Sequence, residues 1–245
     1  MLAAIRSVLF ILIMAITVTI YATATVLCFF LPVKVRYAIA SSWPRLMLQV
    51  GRWLCGMRWR VIGTENLPDG PAIVLGKHQS TWETFFLLCH MPRPAAFVFK
   101  RELLFIPFFG WAIGMLDMMH IDRRHGRRAF EYIVKSAGKQ LHKYGRWIVM
   151  FPEGTRSKPG QQQPYKSGGA RLALKNDTPI VPVAVSSGRC WPKKPFIKQP
   201  GLITVSWGPV ISVTGKTSEQ LNQEVELWIE TEMRRIDPDS YPPGD

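Results

Sequence analysis

Between Arg6 and Lys34 the chain carries 27 residues without a charge, mostly Ile, Leu, Val, Ala, Phe and Thr. As one helix they would extend roughly 40 Å at 1.5 Å per residue, against a bilayer hydrocarbon core of about 30 Å. A secretory leader is the competing reading, since Arg6 precedes the apolar run. Its apolar part would stop after about 7–15 residues at a small-residue cleavage site, whereas this run continues through Cys28-Phe-Phe-Leu-Pro32. The pattern predicts a retained anchor over residues 1–57. Lys34, Arg36, Arg45 and Arg52 crowd its carboxyl-terminal flank. That asymmetry places the remaining chain on the cytoplasmic face, at the inner membrane in a Gram-negative bacterium.

In the next stretch, Tyr37 to Met57, residues Trp43, Leu46, Met47, Val50, Trp53 and Leu54 recur at helical spacing among Arg45, Gln49 and Arg52. This predicts an amphipathic helix, either at the membrane interface or packed on the folded domain. Beyond it, short β-rich runs alternate with helical ones. Strands are expected at Arg58–Ile62, Ala72–Leu75, Ala96–Phe99, Trp147–Phe151, Ile180–Val185 and Leu202–Trp207. Helices are expected at Thr81–Met91, Arg127–Lys143, Gly169–Lys175 and Ser218–Ile236. The alternation predicts an α/β domain over 58–245, a mixed, largely parallel sheet flanked by helices. The stretch Lys158–Pro164 reads as an exposed loop, and the tail from Pro238 as frayed.

The formal net charge of +14 favours polyanions. Charge alone does not choose between nucleic acid, anionic lipid and a phosphorylated substrate; the anchor points to the membrane and away from nucleic acid. Cys28, Cys55, Cys89 and Cys190 form no C-x-x-C pair, which argues against a zinc site or a disulfide framework and suits a reducing compartment.

Four clusters carry candidate chemistry, each at or near a predicted strand end, where ligands collect in α/β folds. In Gly76-Lys-His-Gln-Ser-Thr-Trp-Glu83, His78 precedes Glu83 by five residues. A histidine can serve as a base near neutral pH, with a carboxylate fixing its tautomer. Ser80-x-x-Glu83 equally fits a helix-capping box. The second cluster, Phe99 to Gly110 and on to Ile121-Asp-Arg-Arg124, offers Lys100 and Arg123 as phosphate ligands or as a solvated basic surface. Its apolar part, Leu103–Met119, would line a membrane-facing cleft or acyl tunnel, or pack in the core. In the third, Phe151-Pro-Glu-Gly-Thr-Arg-Ser157, Gly154 permits close backbone approach, Glu153 accepts hydrogen bonds and Arg156 binds anions; Lys166 follows nearby. The fourth, Ile180 to Ser186, reads as a buried strand. The chain holds no G-x-S-x-G or H-E-x-x-H motif. Gly215-Lys-Thr217 ends like a P-loop, but Val210 stands where its first glycine belongs.

In this order the four blocks resemble the glycerolipid acyltransferase family, over roughly residues 60–210, and most closely the 1-acylglycerol-3-phosphate O-acyltransferases. Glu83 stands where that family usually has aspartate. The resemblance implies that His78 deprotonates the lysolipid hydroxyl for direct attack on a thioester, with Glu83 orienting it. It implies that Lys100, Arg123, Arg156 and more weakly Lys166 hold the lipid phosphate, and that Glu153, Gly154 and Thr155 belong to the acceptor pocket. The product would be phosphatidic acid in phospholipid biosynthesis. The donor would be acyl-CoA or acyl-carrier protein, with no metal or other cofactor. Another lyso-acceptor, or a non-catalytic binder of anionic lipid, are the alternatives.

Overall fold

The computed structural model describes residues 1–121, 126–193 and 196–241 of the 245-residue chain. The uncharged N-terminal run divides into two pieces. Helix α1 spans Leu2–Leu27, and Pro32 opens α2 over Val33–Cys55. The single long helix expected from the run is cut there, because proline cannot donate the hydrogen bond that would continue α1.

Strands and helices then alternate: β1 (Met57–Ile62), β2 (Ile73–Gly76), α3 (Trp82–His90), β3 (Ala95–Lys100), α4 (Phe109–Gly114), β4 (Met119–Ile121), α5 (Gly126–Gly138), β5 (Trp147–Met150), α6 (Gly168–Lys175), β6 (Ile180–Val185), β7 (Gly201–Trp207) and α7 (Ser218–Ile236). The expected strands and helices lie close to these bounds. The short elements β4 and α4 have no counterpart in the sequence reading, and the helix expected to reach Lys143 ends at Gly138 in a π turn. Thr217, the end of the P-loop-like tripeptide, is the N-cap of α7: its hydroxyl accepts from Gln220 N–H and the Gln220 side chain accepts in return from Thr217 N–H. That is a capping box, not a phosphate loop.

The strands form one seven-stranded sheet in the order β1-β7-β6-β2-β5-β3-β4. Every pairing is parallel except β6 with β7. The carboxyl-terminal ends of β2, β3, β5 and β6 therefore open on one edge; the loops that leave β2, β3 and β5 carry the first cluster, the start of the second and the third, while the fourth is strand β6 itself. Buried side chains fill both faces, with α1–α3 on one and α5–α7 on the other.

Residues before and after position 57 share one core. Phe10, Trp43, Met47 and Leu48 pack in the same buried cluster as Val74, Val149 and Trp207. The Ser7 hydroxyl accepts from Lys198 N–H at 2.8 Å, Phe10 meets Trp191 edge-on at 5.2 Å, and Trp43 Nε1 donates to Thr17 Oγ1 at 3.0 Å. Helix α1 is long and apolar enough to cross a membrane. One face of it packs on the protein, while Leu9, Leu12, Ile16 and Ile20 remain exposed.

Candidate active site

The loop from β2 into α3 turns His78 and Glu83 towards each other. His78 Nδ1 lies 2.9 Å from Glu83 Oε1. The same oxygen accepts Gln79 N–H and Ser80 N–H, each at 2.7 Å. The other, Oε2, accepts the Ser80 hydroxyl at 2.6 Å and the Ser187 hydroxyl at 2.5 Å. Glu83 is fully buried. Burial alone would push its carboxyl up. The bond and charge of His78, then the Ser187 and Ser80 hydroxyls, outweigh burial and hold it below the ordinary carboxylate value. An ionised Glu83 accepts only, so Nδ1 carries the imidazole proton and Nε2 is left as the basic nitrogen.

The capping box expected at Ser80-x-x-Glu83 does not form, since the N-cap of α3 is Thr81, without a side-chain cap bond. Glu83 reaches back to Ser80 N–H as a capping residue does, while the Ser80 hydroxyl takes Trp82 N–H at 2.8 Å instead of the Glu83 amide. One carboxylate thus gathers the loop that enters α3 and orients the imidazole. Ser187, just past β6, is a partner of Glu83 that the sequence reading overlooked; its only sequence mark is its place after the fourth block.

The third cluster fixes the His78 peptide from both sides. His78 N–H donates to Glu153 Oε1 at 2.8 Å, and Ser157 N–H donates to the His78 carbonyl at 2.8 Å. Phe151 stacks on the imidazole with ring centroids 3.9 Å apart. Glu153 is buried beside Lys77 Nζ at 3.4 Å, and Lys77 pairs in turn with Glu230 of α7 at 2.7 Å. Burial raises the Glu153 carboxyl above its ordinary value, with Lys77 and His78 N–H pulling the other way. Glu153 therefore supports the loop that carries His78: one carboxylate oxygen takes the His78 N–H, the other lies by Lys77, and Glu153 is not part of the cavity lining described below. Replacing Lys77 with methionine would leave Glu153 and Glu230 buried together without their cation. A loss of about 3–5 kcal/mol is expected, visible as a lower Tm in detergent. An unchanged Tm would show that the cluster does not hold the fold.

Above this floor lies a cavity of about 480 Å³. His78, Lys100, Gly154, Thr155 and Arg156 line it, and so does Lys193, which the sequence reading missed. Lys193 Nζ donates to Thr155 Oγ1 at 3.2 Å and to the Arg156 carbonyl at 3.1 Å; Arg156 Nη1 donates to Thr81 Oγ1 at 3.1 Å. Lys166 is exposed behind this wall, its ammonium against Gly154. Gly154 sits at φ 68°, so the turn favours glycine; the contact a Cβ would make, 2.9 Å from Lys166 Nζ, is one that a flexible lysine can relieve. Arg123 lies outside the described residues. The remaining walls are apolar: Val18, Tyr21 and Ala22 of α1, Trp43 of α2, and Phe109 and Ile113 of α4. Among the described residues no group of three His, Cys, Asp or Glu side chains could hold a metal ion.

A buried carboxylate paired with an imidazole on the wall of a cavity lined by both cations and apolar side chains is an arrangement that suits a transferase. The family model described as Acyltransferase matches residues 58–186, and the chain belongs to that family. It is 40% identical over 243 residues to the 1-acyl-sn-glycerol-3-phosphate acyltransferase of Pseudomonas aeruginosa, covering 96% of this chain and 93% of that one. A protein of the same name from Limnanthes douglasii is 27% identical over 214 residues, covering 82% and 75%. The crystal structure of the 1-acyl-sn-glycerophosphate (LPA) acyltransferase PlsC from Thermotoga maritima matches with a TM-score of 0.79 over 96% of this chain and 97% of that one. At 21% identity that match shows a common fold.

Proposed function

We propose that the protein transfers a fatty acyl chain from acyl-CoA or acyl-carrier protein to the free hydroxyl of 1-acylglycerol-3-phosphate, giving phosphatidic acid. The observation that carries this reading is the union, in one cavity, of His78, three cations and a long apolar wall. His78 Nε2 takes the hydroxyl proton as the oxygen attacks the thioester carbonyl. Glu83 stabilises the imidazolium so formed. The tetrahedral intermediate collapses with loss of the thiolate, which recovers the proton from Nε2. No acyl-enzyme forms. Lys100, Arg156 and Lys193 hold the phosphate through charge-assisted bonds. Gly154 and Thr155 border the acceptor, and the acyl chain lies along α1, α2 and α4. Arg123 follows β4, the neighbour of the strand that ends in Lys100, and is assigned to the same anion.

The anchor is held on the cytoplasmic face by the basic flank from Lys34. Helix α1 touches the protein from Ser7 to Thr25, so its exposed side is immersed along the molecule, and it does not cross the bilayer apart from it.

Arg156→Ala is expected to raise the apparent KM for the lysolipid about tenfold or more, because a charge-assisted bond contributes roughly 1.5–3 kcal/mol. The KM for the thioester should change little. A phosphate-free monoacylglycerol is the control acceptor in two-substrate kinetics. Equal loss with both acceptors would remove Arg156 from the phosphate site.

A further inference from the structure

Residues Phe105, Ile106, Pro107 and Phe108 are four consecutive exposed apolar positions, and Trp111 follows one helical turn after Pro107. Phe105 is 73% exposed and Trp111 51%. A run of that kind on a water-facing surface opposes folding economy unless something apolar covers it. The backbone is shaped to keep it out. Phe108 adopts φ 61° and ψ −65°, with Phe109 N–H bonded back to the Pro107 carbonyl at 2.7 Å. This is the tight and strained γ-turn that non-glycine residues avoid. Two residues on, Gly110 donates to the Ile106 carbonyl at 2.7 Å; a Cβ there would meet the Leu104 carbonyl at 2.4 Å. The chain therefore accepts strain and requires glycine to present an aromatic tip.

What covers the tip is indicated by its neighbours. Helix α4, which carries Trp111, packs against α1, and Arg36 at the start of α2 reaches Met115 just beyond α4. At the turn between α1 and α2, Phe29 is 66% and Phe30 72% exposed. The tip is thus carried by a helix in contact with α1, whose own exposed side bears Leu9, Leu12, Ile16 and Ile20. Phe109 and Ile113, on the inner side of α4, line the cavity.

We infer that the 105–111 tip is a second membrane contact: its aromatic side chains enter the acyl-chain region of the bilayer beside α1. The cavity mouth next to α4 then opens among lipid chains. This inference rests on the membrane placement of α1 proposed above, and the test separates the two. A single cysteine is placed at Phe105, or at Ile16 on the exposed face of α1, in an active background with Cys28, Cys55, Cys89 and Cys190 replaced. Each is labelled with an environment-sensitive fluorophore and reconstituted in vesicles of phosphatidylethanolamine and phosphatidylglycerol. Blue-shifted emission at both sites, quenched by brominated acyl chains, is expected. A water-like signal at 105 with a buried one at 16 overturns the tip alone; water-like signals at both overturn the placement of α1 as well. A shift at 105 that follows protein concentration and is not quenched by brominated lipid means that a second copy covers the tip, and overturns the inference.

The kinetic counterpart is Phe105→Glu with Ile106→Glu. Both residues are exposed and outside the cavity lining. Transfer to a long-chain acceptor in vesicles should fall about tenfold or more, since burial of one Phe-sized side chain contributes at least that factor. Transfer to a short-chain, monomerically soluble acceptor should stay within about twofold of the parent, the scatter ordinary for a distant surface change. Equal rates with both acceptors would overturn the inference.

Discussion

His78→Ala is expected to lower acyl transfer by about 10²–10⁴, the usual contribution of a general base. Vesicle binding should be nearly unchanged and the fold retained, with Tm somewhat lowered because the buried Glu83 carboxylate loses one of its five donors, at roughly 1–3 kcal/mol. The imidazole is about one-fifth exposed and faces the cavity, so its removal opens space at a surface that is already open. Its backbone bonds, N–H to Glu153 and carbonyl to Ser157, survive in alanine and hold the loop in place, while the Nδ1 bond to Glu83 and the stack on Phe151 are lost. The ring alone supplies Nε2. A folded variant that keeps more than a few per cent of the parent rate would exclude His78 as the base.

Glu83→Gln should be almost as damaging, and it should also destabilise. The parent carboxylate accepts five hydrogen bonds: one from imidazole, two from backbone amides and two from hydroxyls. An amide must point its NH2 at some of these donors, leaving buried groups unpaired at roughly 1–3 kcal/mol each. It also removes the charge that fixes the Nδ1–H tautomer. The comparable change in a histidine–aspartate pair costs on the order of 10⁴ in rate. A lower Tm with unchanged turnover would reduce Glu83 to a structural residue of its loop. Glu83→Asp keeps the charge but shortens the reach towards Ser187, and partial turnover is expected.

The same residue sets a pH dependence for stability. Its folded carboxyl lies below the unfolded value of about 4.5, so the ionised form stabilises the fold. That contribution is complete above the unfolded value and is lost as pH falls through the folded one. Acid unfolding of the parent between these values should therefore be steeper than that of Glu83→Gln.

The spacing of His78 and Glu83 across a strand end and a helix start allowed them to meet but fitted a capping box equally well, and it was the resemblance of the four blocks together that favoured the pair. The parallel sheet was legible from alternating Val/Ile-rich runs and amphipathic stretches. Short or long-range features were not. β4 has three residues, too few to show a period, and α4 is hidden in an apolar stretch that reads equally as core. Glu153 stands in a motif that suggests substrate contact. Only the fold brings Lys77 and Glu230 to it, the latter 77 residues away by number. Lys193 and Ser187 lie beyond the fourth block, and their approach depends on the antiparallel return of β7 beside β6. The packing of α1 on the core was equally hidden, since an apolar helix has the same sequence whether lipid or protein surrounds it.

The central claim is direct acyl transfer to a phosphorylated lysolipid, and thiol release by the purified protein in detergent or lipid micelles tests it most directly. An acyl thioester would be offered with 1-acylglycerol-3-phosphate, with monoacylglycerol and with lysophospholipids bearing larger headgroups. The account predicts release of one thiol per phosphatidic acid formed, with kcat/KM for 1-acylglycerol-3-phosphate at least about a hundredfold above that for monoacylglycerol, as the loss of a multiply bonded phosphate implies. Equal kcat/KM for the two acceptors, or lipid binding without any thiol release, would contradict it.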